Sequence, residues 1–470
     1  MNKYTQLLKD TFVYALGGIG SKMILFFLVP LYTNYLSTEE YGIADLIFTI
    51  SQFIIPFVGV VIHDAVIRFG ISKEEKKENV LLCGLIVWGI GSLVTIFTTP
   101  IIGLYPSIAK YKWYLCVYVI TNIFMIVEMN YIKAKEQNKL YAVISIIQTL
   151  TMALSNILFI VIIPLSIEGY VLANILGNLI ASIGTFFFGR LFKDIRNARF
   201  SGSLLKRMLI FSAPLVLNNV SWWAIHSANK IIVELALGAS ILGIYTVATK
   251  IPSLINVLIS IFQQSWGISS IKEIESSNDS KFYSDIFRMF SFISFGMGIG
   301  LILIIKPLMA VYVGESFVDA WRYIPLLLAS ATFSAISSYF VSLYAALKKS
   351  LNNMVTTLIG AVVNVAVSVI LVRYIGLWGA IVGTFAAYLV LGIIRMIDAT
   401  RFIKMKIDIL RFVANSIILI SEAILVSFQI HIYLISAISI ILFIVVNWKT
   451  LMDFWKSFKK IKRVKNEKRL

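Results

Sequence analysis

Apolar stretches long enough to cross a membrane recur along this chain from Phe12 to Trp448, and no other feature narrows the possible folds as far. About fourteen of them reach the roughly 20 residues that a helix needs to span the hydrocarbon core. They fall at 12–36, 42–69, 80–104, 113–133, 141–165, 168–189, 208–236, 241–268, 284–306, 322–347, 352–375, 376–398, 409–430 and 431–449. Only helices and closed barrels span lipid, because backbone polar groups find no water there. The runs are continuous rather than alternating, which selects helices. With 14% charged residues among 470, the chain has little more than half the charge of an ordinary globular protein. The expected class is an all-α integral membrane protein.

Positive charge is sorted by position. If Met1 is cytoplasmic, the connections on that side and the helix ends beside them hold 34 of the 42 Lys and Arg residues, and the other side holds 5. The net charge of +18 is therefore the positive-inside bias of a membrane protein rather than a nucleic-acid-binding surface. Both termini are expected in the cytoplasm, with the basic 451–470 tail against anionic headgroups. The first apolar segment is too long for a signal peptide and reads as a retained helix. Cys83 and Cys116 have no metal-ligand spacing and read as packing residues.

The longest cytoplasmic connection, Arg190 to Arg207, divides the chain into two similar blocks. Asn34-Tyr35-Leu36-Ser37-Thr38-Glu39-Glu40-Tyr41-Gly42 joins stretches one and two, and Leu235-Ala236-Leu237-Gly238-Ala239-Ser240-Ile241-Leu242-Gly243 joins seven and eight in the same way. Lys135 and Lys348 each begin a polar turn, a long apolar helix and a Gly-containing turn. Because six is even, both blocks keep one orientation. The reading is two parallel six-helix lobes, 1–190 and 208–400, with a linker at 191–207 and two added helices at 401–450. Such repeats place a substrate site near the bilayer midplane, with access alternating from side to side.

Three cations, Lys22, Lys230 and Lys250, lie inside apolar stretches. An intramembrane charge is costly and normally faces a bundle interior or a watery cavity. Lys22 and Lys250 are too deep to reach an interface, whereas Lys230 lies four residues before Glu234 and can pair with it. In the second stretch, His63, Asp64 and Arg68 are candidates for ion coupling or for a mutually neutralising Asp64–Arg68 pair one turn apart. Glu128, near Lys133, is a further ion-site candidate. The seventh stretch is the most polar: Asn219, Trp222, Trp223, His226 and Lys230 share a helical face. Trp and Asn together suit sugar rings, and equally suit helix–helix contacts. Gln263 in the eighth stretch extends the pattern. Pro30, Pro56, Pro214 and Pro252 interrupt stretches one, two, seven and eight, where kinks would suit gates. Gly296–Gly300 and Gly379–Gly383 have GxxxG spacing, which favours close helix packing. No phosphate-binding loop, HExxH or CxxC motif is present, so no nucleotide, metal or other cofactor and no catalytic residue is assigned.

The start of the chain, LLKDTFVYALGGIGSKMILFFLVPLYTNYLSTEEYGIADL, with its GGIGSK segment, a proline near the outer end and the L-S-T-x-x-Y-G turn, resembles the Wzx-type polysaccharide flippases of the multidrug/oligosaccharidyl-lipid/polysaccharide (MOP) exporter superfamily. The resemblance extends over the whole chain. It implies a V-shaped bundle in a bacterial plasma membrane that moves undecaprenyl-pyrophosphate-linked oligosaccharide repeat units outward. It also implies membrane lipids, a polysaccharide polymerase and glycosyltransferases as partners. Cations on helices one and eight line the central cavity of related lipid II flippases, and that role carries over here to Lys22 and Lys250, with Arg68 and Lys230 as further headgroup candidates. Lysine stands where such cations are commonly arginine, which keeps the charge and gives up the bidentate fork. A lipid II or multidrug exporter of the same superfamily is an alternative reading. So is an enzyme, a polysaccharide polymerase or ligase, although the short external loops offer it no catalytic domain.

Overall fold

The structure is a computed structural model that describes residues 24, 26–72, 74–276, 280–347 and 349–452. Lys22, the GGIGSK segment, most of the first apolar stretch, Lys348 and the basic tail from residue 453 lie outside the described residues. Among the described residues the regular structure is entirely helical. Twelve helices among the described residues are long and apolar enough to cross a membrane, and a thirteenth, Ile432–Val446, is apolar over 15 residues. The chain is a multi-pass membrane protein.

Packing divides it into two compact units: Met1–Thr246 with Val313–Phe317, and Val247–Tyr312 with Val318–Leu470. The first contains α1 (Val29–Tyr35), α2 (Thr38–Val58), α3 (Ile62–Ile71), α4 (Lys77–Ile102), α5 (Lys112–Ala134), α6 (Asn138–Asn156), α7 (Ser166–Phe188), α8 (Leu191–Asn197) and α9 (Gly202–Leu237). A tenth helix, α10 (Ala239–Ser276), begins in the first unit and continues into the second. The second unit also holds α11 (Ser280–Tyr312), α12 (Ile324–Ala346), α13 (Ser350–Ile375), α14 (Leu377–Phe402), α15 (Ile409–Ser427) and α16 (Ile432–Val446).

Several expectations change. The stretch at 42–69 is two helices rather than one: α2 ends at Val58, and Val60 and Val61 have φ of 47° and 49° before α3 begins. Branched residues are disfavoured in that left-handed region, so this break is held by its surroundings, with Ser212 of α9 donating to the Val61 carbonyl at 3.4 Å. Hydropathy does not register such a break, since the interrupting residues are themselves apolar. The connection at 191–207 is not open chain, because α8 occupies 191–197 and Asp194 accepts from Lys135 Nζ at 2.7 Å. Pro214 and Pro252 lie inside continuous helices, while Pro30 opens the first turn of α1, where its missing N–H costs nothing.

The two matched turns meet each other within the first unit. Thr38 and Ala239 are the first residues of α2 and α10, and Gly42 and Gly243 follow one turn later. A Cβ at Gly42 would overlap the Ala239 carbonyl, and a Cβ at Gly243 would overlap the Thr38 carbonyl. The contact is reciprocal between corresponding positions of the two matched turns, and only glycine permits the backbones to come so close. Ser37 and Glu40 form a capping box that starts α2. We expect Gly42→Ala or Gly243→Ala to lower the thermal transition of the purified protein by several degrees, whereas Gly89→Ala, which meets open space, leaves it in place.

In the second unit α12 is enclosed along most of its length. Gly379 and Gly383 of α14 meet the α13 backbone and the Ser368 hydroxyl, whereas Gly300 of α11 faces open space; GxxxG spacing produces a close approach in one case and not in the other. Arg395 of α14, only 1% exposed, was counted from sequence among the cations at cytoplasmic helix ends. Its guanidinium donates to Ser337 Oγ at 2.9 Å, Thr356 Oγ1 at 3.1 Å, Thr357 Oγ1 at 2.8 Å and Asn353 Oδ1 at 2.8 Å. Four neutral acceptors on α12 and α13 thus solvate a buried cation. Arg395→Ala is expected to cost about 2–4 kcal/mol, since the charged hydrogen bonds it loses, each worth roughly 1.5–3, are largely offset by the desolvation cost of the buried cation. Arg395→Lys, which loses the planar fork, should recover only part of that. Thermal unfolding of the three proteins in detergent measures both.

Candidate functional site

The polar groups of the seventh stretch lie on α9, a 36-residue helix that packs against α2 and α3 in the first unit. Their positions follow from helical spacing. Trp223 and Lys230 are two turns apart on one side, and both reach α2. Trp223 donates its indole N–H to the Thr49 carbonyl at 3.0 Å, and its ring lies 4.7 Å from that of Phe53. Lys230 Nζ sits 2.6 Å from Asp45 Oδ2, and the same carboxylate accepts from Thr246 Oγ1 of α10 at 3.0 Å. Asp45 is therefore the point at which α2, α9 and the start of α10 are joined. It lies seven residues into α2, about 10 Å along the helix from its N-terminal end.

This geometry gives Lys230 a partner other than Glu234, the i,i+4 neighbour with which it can pair in sequence. Glu234 accepts instead from the hydroxyls of Tyr105 and Ser107 in the connection between α4 and α5. Once α2 supplies a carboxylate, Lys230 gains a buried counter-ion on a neighbouring helix, whereas an i,i+4 pair on its own helix would leave Asp45 uncompensated.

Trp222 and His226 occupy the adjoining face and stack, with ring centroids 5.6 Å apart and planes within 9°. His226 is exposed and Trp222 half-buried. A stacked, nearly parallel aromatic pair at the surface of a membrane-spanning helix offers a flat platform with a polar ring nitrogen. Asn219 is half-buried, and its amide donates to the Leu215 carbonyl of its own helix at 2.9 Å, leaving the side-chain oxygen for other contacts. Gln263, in the second unit, donates to the Ser338 carbonyl at 3.3 Å, and Trp266 beside it donates to the Tyr339 carbonyl at 3.1 Å. Both tie α10 to α12. Lys250 lies half-buried on α10 in the second unit.

The ion-coupling candidates are dispersed. Asp64 pairs with His63 at 3.6 Å rather than with Arg68, which is exposed near the end of α3; Arg68 on this short helix does not meet the carboxylate one turn before it. Glu128 of α5 is fully buried and faces Ser182 of α7, while Lys133 stands over the Tyr141 ring at 4.1 Å. Sequence reading passed over Asp45, whose place in a run of apolar residues was the available signal. Among the described residues there is no cluster of three or more potential metal ligands.

Ionic contacts sort by end in the first unit. Lys77 donates to the Ala134 carbonyl, and Lys135–Asp194 and Arg207–Glu75 pair at one end. Lys110–Glu168, Ser166–Glu40 and the Glu234 contacts lie at the other.

Comparison with known proteins places this architecture. The polysaccharide biosynthesis protein family matches residues 7–267. A Haemophilus influenzae protein described as Lsg locus putative protein 1 is 21% identical over 257 residues, which are 54% of this chain and 63% of that protein. An uncharacterized membrane protein of the same organism is 20% identical over 258 residues, 54% of this chain and 62% of its own length. The matched region thus spans less than two thirds of either relative. Among solved structures, the lipid II flippase MurJ in an inward closed conformation superposes with a TM-score of 0.69 at 14% identity, covering 94% of this chain and all of that one. An inward-facing multidrug resistance MATE family transporter of the MOP superfamily gives 0.63 at 16% identity, covering 80% and 98%. At these identities the likeness is one of fold.

Proposed function

The chain belongs to the polysaccharide biosynthesis protein family, and we propose that it is a flippase rather than an enzyme. In this reading it moves undecaprenyl-pyrophosphate-linked oligosaccharide repeat units from the cytoplasmic to the outer leaflet of a bacterial plasma membrane, by alternating access between two parallel six-helix lobes (1–190 and 208–400). The observation that carries the reading is the polar, aromatic face of α9 inside a membrane-spanning bundle of this family.

The physical problem is to carry an anionic, hydroxyl-rich headgroup through a hydrocarbon layer while its polyprenyl tail stays in lipid. Fixed cations offset the cost of the pyrophosphate in a low-dielectric setting, and Lys22 and Lys250 are assigned that part. Lys230, engaged by Asp45, holds α2 to α9 instead. The Trp222–His226 stack provides an apolar face for sugar rings, and Asn219 provides an edge for hydroxyls. His63, Asp64 and Glu128 remain proposed ion-coupling groups, because no nucleotide-binding motif supplies energy. A polymerase and glycosyltransferases would act after and before the transfer. The candidate cavity residues are mainly basic, which disfavours a cationic drug as cargo.

Deleting the gene and locating the lipid-linked intermediates tests the reading. A flippase deletion accumulates complete repeat units facing the cytoplasm. Accumulation facing outward would instead assign the protein to polymerisation or ligation.

A further inference from the structure

The second unit contains a pocket that the proposed transport pathway does not use. It is a cavity of about 570 Å³ where α11 and α15 begin and α16 ends, a size suited to a small ligand or a headgroup. Five cations line it: Lys281, Arg288, Lys406, Arg411 and Lys449. Only two carboxylates, Asp285 and Asp408, stand against them, which leaves a net charge of +3. Each carboxylate is held by an arginine three residues away on the chain, Asp285 by Arg288 at 3.0 Å and Asp408 by Arg411 at 3.1 Å. Arg411 is braced further by Thr450 at 2.9 Å. Lys406 and Lys449 form no ion pair among the described residues, and both are exposed. At the floor, buried Asn415 and Asn447 exchange amide hydrogen bonds at 2.8 and 3.3 Å, and Phe287 and Phe412 close the base.

We propose that this pocket binds the phosphate headgroup of an anionic phospholipid. The excess positive charge selects an anion, and two arginine forks with fixed orientation suit phosphate oxygens. Apolar side chains within the lining, Phe287, Phe295, Ile407 and Phe412, at the ends of membrane-spanning helices, select a lipid over a soluble ion. A headgroup in the pocket sits where these helices meet the edge of the bilayer. All five cations belong to the set sorted to the cytoplasmic side, where anionic lipids concentrate and each nearby Lys or Arg adds to their attraction. The site shares no residue with the proposed headgroup set of Lys22 and Lys250, and it does not depend on the transport assignment.

The test uses the full-length protein in detergent with an equimolar mixture of phosphatidylglycerol and phosphatidylcholine, counting retained lipid by native mass spectrometry. Wild type is expected to retain phosphatidylglycerol over phosphatidylcholine. Lys406→Gln with Lys449→Gln should reduce that retention roughly tenfold at an unchanged thermal transition, and the matching arginine replacements should keep it. Equal retention of phosphatidylglycerol by wild type and the glutamine variant would overturn the proposal. So would protection by inorganic phosphate alone with no preference between the two lipids, which would assign the pocket to a soluble anion.

Discussion

Under the proposed function, replacing Lys22 and Lys250 together with alanine is expected to abolish polysaccharide export, while the protein still reaches the membrane and unfolds at the wild-type temperature. The expectation rests on the cost of placing a charge within the membrane, somewhere between about 2.5 and 17 kcal/mol depending on its surroundings, which makes a lysine there a candidate for function. Two intramembrane cations with no part in transport could be removed without loss of export. If they carry the pyrophosphate, each lost charge removes attraction for a group bearing at least two negative charges, and both together remove the charge pair. Single substitutions should leave residual transport, and arginine at either position should restore it, since charge rather than side-chain shape is what the lysines supply. Export assayed in cells, with protein abundance measured in the same membranes, checks all of these.

The second large effect concerns Asp45 and Lys230. Their side chains are 8% and 17% exposed, and they approach to 2.6 Å. Removing one partner of such a buried pair strands the other, which costs about 3–5 kcal/mol. Asp45→Ala and Lys230→Ala are each expected to destabilise the protein by that order. The double replacement Asp45→Ala with Lys230→Ala should cost well below the sum of the two, because neither charge is then left without the other. Thr246, the second donor to Asp45, makes Asp45→Ala the more damaging single change. Additive losses in the double variant would show that the pair does not couple α2 to α9. The measurement is thermal or denaturant unfolding of the four proteins, read as a double-mutant cycle.

The contrast between these two predictions shows what was legible in the chain. Runs of apolar residues identify spanning helices because hydropathy is local, and most of the predicted spans reappear as helices with extended ends, such as α9 at 202–237 and α10 at 239–276. The matched turns were visible as spacing, and the structure adds that Gly42 and Gly243 make the same close approach in opposite directions. Lys230 was legible as a buried cation, but its partner was not. A sequence displays neighbours at i+4, and Asp45 is brought to Lys230 only by the packing of α2 on α9. Glu234 was lost to the connection after α4 for the same reason, since Tyr105 and Ser107 reach it only through tertiary structure. Arg395 was hidden differently. Its place near a helix end suggested an interfacial residue, while the Ser, Thr and Asn groups that bury it come from α12 and α13. The break at residues 59–61 left no mark because a backbone angle carries no hydropathy.

The central claim is transport, and it is tested most directly by reconstituting the purified chain into liposomes with a fluorescently labelled undecaprenyl-pyrophosphate oligosaccharide. A membrane-impermeant quencher then reports which leaflet holds the sugar. The account predicts that wild-type protein makes the inner-leaflet sugar accessible over time and that the Lys22→Ala, Lys250→Ala protein does so no faster than empty liposomes. Equal rates for both proteins, or a wild-type rate equal to that of empty liposomes, would contradict it.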